Sequence, residues 1–130
     1  MKVLVTGTSG QLGFDVMAEL ARRGYEAIGA DRSEGVGEFE KVQLDITDDE
    51  RVMEVVKELK PDAIVHCAAW TNVDGAEDPD NLDKVRAVNV DGTHNLAEAA
   101  KAVDAKFVYI STDYVFNGDG DKPWDPDDKN

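Results

Sequence analysis

Apolar runs and amphipathic segments alternate along the chain. Five short segments, most of them apolar, predict strands, and they lie at residues 3–5, 26–30, 41–44, 63–67 and 107–110. Three segments between them carry apolar residues every three or four positions, which predicts helices. Strands that alternate with helices are typical of a parallel sheet with right-handed crossovers. We therefore expect an α/β fold, a Rossmann-type doubly wound parallel sheet with strand order 3-2-1-4-5 and helices on both faces.

Each predicted helix has its own apolar face. These faces are Leu12, Val16 and Leu20 in the first helix, Val52, Val55, Val56 and Leu59 in the second, and Val85, Asn89, Gly92, Leu96, Ala99 and Val103 in the third. The second helix is expected to begin at a capping box that starts with Thr47, and the third at Pro79 with Asp78 as its cap. Gly92 would bring the third helix close to the sheet. The Asn89 amide must find hydrogen-bond partners, either as a structural amide or as a brace for the backbone of an active site.

The first strand leads into a glycine-rich loop and then into a helix. Gly7 suits the tight turn after the strand, Gly10 would let a pyrophosphate approach the backbone, and Gly13 would let the helix pack closely on the strand. The helix N-terminus would face that anion. The spacing G-x-x-G-x-x-G differs from G-x-G-x-x-G, and a plain turn is the alternative. The strand before the loop and the amphipathic helix after it favour a dinucleotide site.

Asp31 and Arg32 follow the second predicted strand and bear on the choice of cofactor. A carboxylate at this position accepts hydrogen bonds from ribose hydroxyls and would repel a 2′-phosphate, which favours NAD. Arg32 could turn outward and bind that phosphate, which permits NADP. The alternative for Asp31 is a solvated loop carboxylate. We expect NAD or NADP as the cofactor, with a preference for NAD.

Small and polar residues follow the third and fourth predicted strands. Asp45 could border an adenine or simply help to start the next helix, and Ala68 and Ala69 either leave room for a cofactor or allow tight packing. His66 has no other ligand-type residue at metal-ligand spacing, so we expect a buried histidine with satisfied nitrogens. Cys67 is interpreted as a small core residue. We predict no metal site.

The composition excludes several classes of function. With 28 acidic and 14 basic residues the net charge is -14, which repels nucleic acid and anionic membranes, and no apolar run approaches the ~20 residues of a membrane span. The acidity is either an adaptation to high salt or an ordinary soluble surface. The single cysteine cannot form an internal disulfide, and Met1 leads directly into the first strand without room for a signal peptide. We expect a cytoplasmic protein.

Four segments together resemble the extended short-chain dehydrogenase/reductase family: VTGTSGQLG, Asp45-Ile46, HCAA and NVDGTHNLAEAA. Within that family, AAWTNVDGAED and STDYVFNGDGDKPW are most similar to the dTDP-4-dehydrorhamnose reductases, because the family's epimerases usually carry a more serine-rich segment after the fifth strand. The resemblance covers essentially all 130 residues. It implies hydride transfer from NADH or NADPH to carbon 4 of a 4-keto nucleotide sugar, dTDP-4-dehydro-L-rhamnose, in dTDP-rhamnose biosynthesis. It permits a homodimer.

The resemblance also implies roles for individual residues. The pyrophosphate would be held by Gly7, Ser9, Gly10, Gln11, Leu12 and Gly13, the adenosine ribose by Asp31 and Arg32, the adenine by Asp45 and Ile46, and the rest of the cofactor channel by Ala68, Ala69 and Thr71. Thr112 would be the catalytic-site hydroxyl that hydrogen-bonds the sugar carbonyl.

One part of the family pattern is absent from these 130 residues. The proton donor of the family is the tyrosine of a Tyr-x-x-x-Lys motif, and the residues four after Tyr25, Tyr109 and Tyr114 are Gly29, Asp113 and Gly118. We therefore expect residues 1–117 to form an NAD(P)-binding Rossmann domain. Residues 118–130 would be an acidic Gly/Pro-rich surface loop or tail that ends before the catalytic pair and a substrate domain.

Three readings of the function stay open on this basis. The first is the cofactor-binding part of a reductase, inactive as an isolated chain. The second is a non-catalytic NAD(P)-binding regulatory subunit on the same scaffold, which includes a natural short protein. The third is a nucleotide-sugar epimerase or dehydratase of the same family.

Overall fold

The strands form the sheet that the sequence predicts. A computed structural model of the protein describes residues 1–33 and 39–127, so that the last three residues of the predicted tail lie outside the described residues. The strands are β1 (Lys2–Thr6), β2 (Glu26–Asp31), β3 (Lys41–Gln43), β4 (Ala63–His66) and β5 (Lys106–Tyr109). They pair in parallel in the order β3-β2-β1-β4-β5, with Val3 opposite Ala63 and Leu4 opposite Ile64. The predicted doubly wound order is confirmed.

Helices cover both faces of this sheet. They are α1 (Gln11–Arg22), α2 (Asp49–Leu59), α3 (Val73–Ala76), α4 (Leu82–Arg86) and α5 (Thr93–Ala102), with a π-helical segment (Ala87–Gly92) between α4 and α5 and a 3₁₀ turn (Asp113–Val115) after β5. Successive side chains of a strand point to opposite faces. Val3 and Val5 accordingly share one buried cluster with Met17 of α1, whereas Leu4 and Ile64 belong to the cluster under α2 and α5.

The apolar face of α1 is rotated from the predicted one. Gly13 and Met17 are buried, Val16 and Leu20 are partly buried, and Leu12 is 47% exposed. Leu12 is exposed because it lies in the first turn of the helix, beyond the carboxyl end of the strands that cover the later turns. The predicted face of α2 is confirmed, since its three valines are buried.

The predicted third helix is neither as long nor as uniform as expected. It begins at Leu82 instead of Pro79, because the Asp78 carbonyl accepts a hydrogen bond from the Asn81 N–H at 2.9 Å and so closes a separate turn. Its middle, Ala87–Gly92, is π-helical. The sequence periodicity did not reveal this segment, because one widened turn shifts an apolar stripe only slightly.

Two local features differ from the sequence prediction. The short helix α3 is not among the helices that the sequence predicts, and the Asn72 side chain caps it. The cap of α2 is Asp48 and not Thr47. The Asp48 carboxylate accepts a hydrogen bond from the Arg51 N–H at 3.0 Å, whereas the Thr47 hydroxyl bonds Asp45 at 2.7 Å.

The chain after β5 has little regular structure. Residues 116–127 contain no helix or strand, although the rings of Phe116 and Trp124 stack with their centroids 4.8 Å apart. On β5 itself Val108 and Tyr109 are about half exposed. Among the described residues no helix has the length and apolar character needed to cross a membrane.

Candidate functional site

A cleft opens at the carboxyl ends of the first four strands. Its lining consists of Gly7, Ala30, Asp31, Arg32, Leu44, Asp45, Ile46, Cys67, Ala68, Ala69, Trp70 and Val88. The strand order reverses between β1 and β4, and ligands of open α/β sheets bind at such a switch point, outside the carboxyl ends of the strands. The topology therefore identifies this cleft as the candidate binding site.

The three loop glycines meet different surroundings. Gly7 has a φ of +74°, and a Cβ there would lie 2.6 Å from the backbone nitrogen of Ala68. A Cβ at Gly13 would overlap the Gly7 carbonyl oxygen, whereas a Cβ at Gly10 would make only an ordinary contact of 3.4 Å with it. The fold thus requires glycine at positions 7 and 13. At Gly10 the fold makes no such demand, and a ligand can approach the backbone closely.

The N-terminus of α1 follows this loop and suits an anion. No side chain caps the helix, and its first turn contains no acidic residue. The first N–H groups of a helix lack partners within the helix, and the helix dipole adds a partial positive charge there. Ser9, Gln11 and Leu12 are exposed at this end. Loop and helix end together match the requirements of a pyrophosphate.

Asp31 connects the glycine loop to the end of β2. Its Oδ2 accepts a hydrogen bond from the Ser9 N–H at 2.9 Å, and its Oδ1 accepts one from the Ser33 N–H at 3.3 Å. The two serine hydroxyls lie 3.1 Å apart. Partial burial alone would raise the pKa of Asp31, but hydrogen bonds from the backbone of Ser9, Ser33 and Arg32 and from the Ser9 hydroxyl together outweigh it and hold the pKa below the usual range. The carboxylate is therefore negative at neutral pH.

Asp45 and Arg32 face the cleft from the ends of β3 and β2. Asp45 accepts hydrogen bonds from the Thr47 hydroxyl at 2.7 Å and the Thr47 N–H at 2.9 Å. These two bonds lower the pKa of Asp45, and the positive charge of Arg32 adds to the effect. The Arg32 side chain is exposed, while its carbonyl accepts from the Gln43 amide at 3.1 Å. Two carboxylates and one guanidinium thus border the same end of the cleft.

Ile46 is held from two sides. Its carbonyl accepts a hydrogen bond from the Asn95 amide at 2.9 Å. A Cβ at Gly92 would lie 2.7 Å from Cδ1 and Cγ1 of the Ile46 side chain. The close approach predicted for Gly92 is therefore present, but Gly92 meets this side chain and not the sheet itself.

Asn89 binds the backbone of a cleft residue. Its Oδ1 accepts from the Trp70 N–H at 2.7 Å, and its Nδ2 donates to the Trp70 carbonyl at 3.3 Å. Of the two interpretations of this amide, the brace is the one that the structure supports. The brace acts on a segment that lines the candidate site.

His66 is a buried histidine with both nitrogens in hydrogen bonds, as predicted. Nδ1 lies 2.8 Å from the Thr6 hydroxyl and Nε2 lies 2.9 Å from the Thr93 hydroxyl. Burial lowers the pKa of His66 to about 4, so the ring is neutral at physiological pH. The adjacent Cys67 is partly buried, and burial raises the pKa of its thiol. Within the described residues no group of three or more metal-ligand side chains comes together.

The structure gathers about half of the predicted site residues in the cleft. Those that line it are Gly7, Asp31, Arg32, Asp45, Ile46, Ala68 and Ala69, while Ser9, Gly10, Gln11, Leu12 and Gly13 form the adjoining loop and helix start. Thr71 is exposed and does not line the cleft. Thr112 is exposed after β5, where its hydroxyl accepts from the Tyr114 N–H and donates to the Asp113 carboxylate, both at 3.3 Å.

Sequence reasoning missed several cleft residues. Leu44, Trp70 and Val88 line the cleft but were not among the candidates, and Cys67 was assigned to the core. A signal existed for two of them. Leu44 ends the third predicted strand and Trp70 directly follows the small residues after β4, so both positions lie at carboxyl ends of strands.

The chain is similar to named proteins along its whole length. A family model described as the RmlD substrate binding domain matches residues 1–130. A dTDP-4-dehydrorhamnose reductase from Streptomyces griseus is 43% identical over 124 residues, which are 95% of this chain and 37% of that protein. Methionine adenosyltransferase 2 subunit beta from Pongo abelii is 39% identical over 117 residues, which are 90% of this chain and 34% of that protein. The chain thus spans well under half the length of these relatives.

Solved structures agree with the fold. A dTDP-4-dehydrorhamnose reductase from Clostridium acetobutylicum superposes with a TM-score of 0.87 at 38% identity, over 99% of this chain and 42% of that one. The enzyme of the same name from Bacillus anthracis, in complex with NADP, gives 0.79 at 42% identity, over 92% and 39%. UDP-glucose 4-epimerase from Thermus thermophilus, in complex with NAD, gives 0.78 at 30% identity, over 86% and 38%. This chain therefore belongs to the RmlD substrate-binding domain family, within the extended short-chain dehydrogenase/reductases that its sequence resembles.

Proposed function

We propose that this chain is the NAD(P)-binding part of a reductase that acts on a 4-keto nucleotide sugar. The observation that carries the proposal is the cleft at the switch point, where Asp31 joins the glycine loop to the end of β2. The name of the Streptomyces griseus relative supports dTDP-4-dehydro-L-rhamnose as the substrate and dTDP-L-rhamnose as the product. The bound NADP of the Bacillus anthracis neighbour supports a nicotinamide dinucleotide as the cofactor.

Different residues of the site would bind different parts of such a dinucleotide. The N–H groups after Gly10 would receive the pyrophosphate, because they lie at an uncapped helix N-terminus. Asp31 and Arg32 would meet the adenosine ribose, and Asp45 and Ile46 would border the adenine. The segment that carries Ala68, Ala69 and Thr71 would line the channel towards the nicotinamide. A bound reduced nicotinamide would supply the hydride, and the protein would supply binding and orientation.

Electrostatics at the ribose end support NAD at least as strongly as NADP. The Asp31 carboxylate would repel a 2′-phosphate by about 4 kcal/mol for unit charges ~4 Å apart at an effective dielectric of 20. The exposed Arg32 could offset part of this repulsion through charged hydrogen bonds to the phosphate. Since Asp31 is held in place by two backbone N–H groups and Arg32 is a long, exposed side chain, we propose that Asp31 dominates.

Thr112 is proposed to orient the substrate and not to protonate it. Its hydroxyl is exposed beyond β5 and could exchange its weak bond to Asp113 for one to a sugar carbonyl. An alcohol is a poor proton source near neutral pH, so the general acid must be another group. The 130 residues contain no Tyr-x-x-x-Lys motif. We propose that residues 1–117 bind the cofactor and that the acid and the substrate domain belong to the part of the relatives that this chain does not span.

A second candidate function is dinucleotide binding without turnover. The similarity to a protein named as a subunit, methionine adenosyltransferase 2 subunit beta, supports it. The same scaffold can bind a dinucleotide with or without catalysis. The epimerase alternative has the Thermus thermophilus neighbour in its favour, at a lower identity than the reductases.

A chimera tests the proposed function. Residues 1–130 replace the matching segment of the Streptomyces griseus relative, and reduced-nicotinamide absorbance is followed after dTDP-4-dehydro-L-rhamnose is added, with the unaltered relative as the control. We expect turnover by the chimera, and tight dinucleotide binding by both the chimera and the isolated chain. A folded chimera that binds neither NADH nor NADPH would overturn the proposal. Binding without turnover would favour the subunit, and interconversion of UDP-glucose and UDP-galactose would favour the epimerase.

A further inference from the structure

Buried polar groups behind the cleft form one continuous series of hydrogen bonds. The Ala68 N–H donates to the Thr6 hydroxyl at 3.3 Å, and that hydroxyl lies 2.8 Å from Nδ1 of His66. Nε2 of His66 lies 2.9 Å from the Thr93 hydroxyl, which donates to the Asn89 carbonyl at 2.8 Å. The series crosses from β1 through β4 to the beginning of α5.

The series closes on the segment from which it starts. The Asn89 side chain holds both the N–H and the carbonyl of Trp70. Ala68 and Trp70 are separated by Ala69 alone, and all three line the cleft. The hydrogen bonds therefore form a ring that begins and ends on one short stretch of the cleft wall.

Counting protons gives this ring a single direction. The Asn89 carbonyl can only accept, so the one hydroxyl proton of Thr93 is used there and Nε2 of His66 must donate. In a neutral imidazole the other nitrogen is then an acceptor. Nδ1 receives the Thr6 hydroxyl proton, which leaves the Thr6 oxygen free to accept from Ala68. The neutral imidazole with its proton on Nε2 therefore satisfies every hydrogen bond of the series.

The other states of His66 do not satisfy the ring. With the proton on Nδ1, the imidazole and the Ala68 N–H would both donate to Thr6, whose own proton would have no acceptor in the ring, and Nε2 would have no proton to donate to the Thr93 hydroxyl. A buried hydrogen bond that is lost in this way costs about 1 to 3 kcal/mol. Because Thr6 is fully buried and His66 is 2% exposed, water cannot easily replace the missing partner.

The π-helical segment takes part in the same arrangement. The Thr93 N–H bonds the Val90 carbonyl, while the Asn89 carbonyl, its ordinary partner four residues back, accepts from the Thr93 hydroxyl. Asn89 therefore takes part in the ring at two points. Its carbonyl accepts from Thr93, and its side chain binds the backbone of Trp70. Widened turns of this kind are frequent at functional sites.

We propose that His66, Thr93 and Asn89 are positioning residues that set the backbone of the cleft wall at residues 68–70. Their means is a ring of hydrogen bonds that only the neutral Nε2–H tautomer of His66 completes. None of the three lines the cleft, so they act on a ligand through the wall. The effect on dinucleotide affinity rests on the proposed function, whereas the state of the ring does not.

The first experiment examines the ring without a ligand. The chain has two histidines, so nitrogen NMR of the isotope-labelled protein shows two imidazoles, and His94→Gln identifies the one that is not His66. We expect His66 at neutral pH to be uncharged with its proton on Nε2, and the amides of Ala68 and Trp70 to exchange slowly with solvent. A proton on Nδ1, a charged ring or rapid exchange at both amides would overturn the proposal.

The second experiment perturbs the ring at a distance from the cleft. Thr93→Val keeps the shape of the side chain but removes the hydroxyl, and Thr93→Ser keeps the hydroxyl. We expect Thr93→Val to accelerate amide exchange at Ala68 and Trp70 and to raise the Kd for NADH and NADPH roughly tenfold, in line with one lost buried hydrogen bond. With Thr93→Ser, both the amide exchange and the Kd should stay close to those of the wild type.

A core variant separates positioning from general destabilisation. Val55→Ala in α2 removes buried apolar volume away from the ring and should lower the Tm without changing the Kd, measured well below the Tm of every variant. If Thr93→Val changes the Kd no more than Val55→Ala does, the positioning role is overturned. If the wild-type chain binds neither dinucleotide, the proposed function fails. The tautomer of His66 and the amide exchange rates of Ala68 and Trp70 still show whether the ring of hydrogen bonds exists.

Discussion

The backbone N–H of Ser9 donates a 2.9 Å hydrogen bond to the carboxylate of Asp31, across 22 residues of chain. This bond gives the acidic residue two tasks. It fixes the loop that would hold a pyrophosphate, and it places a negative charge where the adenosine ribose would lie. A substitution of Asp31 should therefore affect both the strength of dinucleotide binding and the discrimination between NAD and NADP.

Asp31→Ala should weaken NAD binding by roughly 1.5 to 3 kcal/mol, the value of a charged hydrogen bond, and should improve NADP binding because the repulsion of the 2′-phosphate is removed. Titration calorimetry with both dinucleotides measures the two changes. Arg32→Ala is the matched control and should weaken NADP selectively. If the wild-type protein already prefers NADP and Asp31→Ala has no effect, Arg32 governs the pocket instead.

The glycines of the loop should separate binding from folding. Gly10→Ala should leave the Tm close to that of the wild type, because the added Cβ makes only a 3.4 Å contact, but should raise the Kd for dinucleotide more than about tenfold. Gly13→Ala should instead destabilise the fold by roughly 3 kcal/mol, because its Cβ would overlap the Gly7 carbonyl. Thermal denaturation and fluorescence titration of both variants check this contrast. Unchanged affinity in Gly10→Ala would place the pyrophosphate elsewhere.

Substitutions at Gly92 and Ile46 should have coupled effects on the free energy of unfolding. Gly92→Ala should lower the free energy of unfolding by about 1 to 3 kcal/mol, because the new Cβ would lie 2.7 Å from two atoms of the Ile46 side chain. Ile46→Val removes one of those atoms, so the double variant should lose less than the sum of the single losses. Urea denaturation of the two single variants and the double variant completes the cycle. Strict additivity would show that the π-helical segment moves away instead of pressing on Ile46.

The stability of the protein should fall between pH 6.5 and pH 4 because of His66. Burial lowers the pKa of His66 to about 4 in the folded state, so the unfolded chain takes up this proton first as the pH decreases. The contribution of neutral His66 to the free energy of unfolding is complete above pH 6.5 and is lost progressively down to about pH 4, with a total of about 3 kcal/mol. Urea denaturation at several pH values measures it as the difference between the wild type and His66→Gln. The exposed His94, changed to Gln, controls for the loss of an imidazole as such; equal pH profiles for the wild type and His66→Gln would contradict the prediction.

The isolated 130-residue chain should bind dinucleotide but should not reduce a 4-keto sugar nucleotide at a useful rate. These 130 residues contain no Tyr-x-x-x-Lys acid, a contribution of typically ~10² to 10⁴-fold. We also expect them to lack most of the contacts that would position the sugar, an effect that can be worth ~7 to 11 kcal/mol. Reduced-nicotinamide absorbance with dTDP-4-dehydro-L-rhamnose, compared with the chimera, measures the difference. Equal turnover by the chain and the chimera would show that the acid lies within these residues.

The order of apolar and amphipathic segments was enough to predict the architecture. Continuous apolar runs such as 3–5 and 63–67 require a strand that is covered on both faces, and helices between parallel strands leave few topologies. The same pattern indicated the carboxyl ends of the strands, so Gly7, Asp31 and Ala68 could be assigned to one site before their distances were known. These features depend on local periodicity and on glycine geometry, which a sequence carries directly.

The partners of the polar groups were decided only in three dimensions. Asn89 could have been satisfied in many ways, and its choice of the Trp70 backbone depends on a π-helical turn that leaves no clear trace in the apolar stripe. His66 joins Thr6 and Thr93, which lie 60 and 27 residues away along the chain. A hydrogen bond forms only when the donor–acceptor distance falls within a range of a few tenths of an ångström. The packing of the whole sheet and its helices sets these distances.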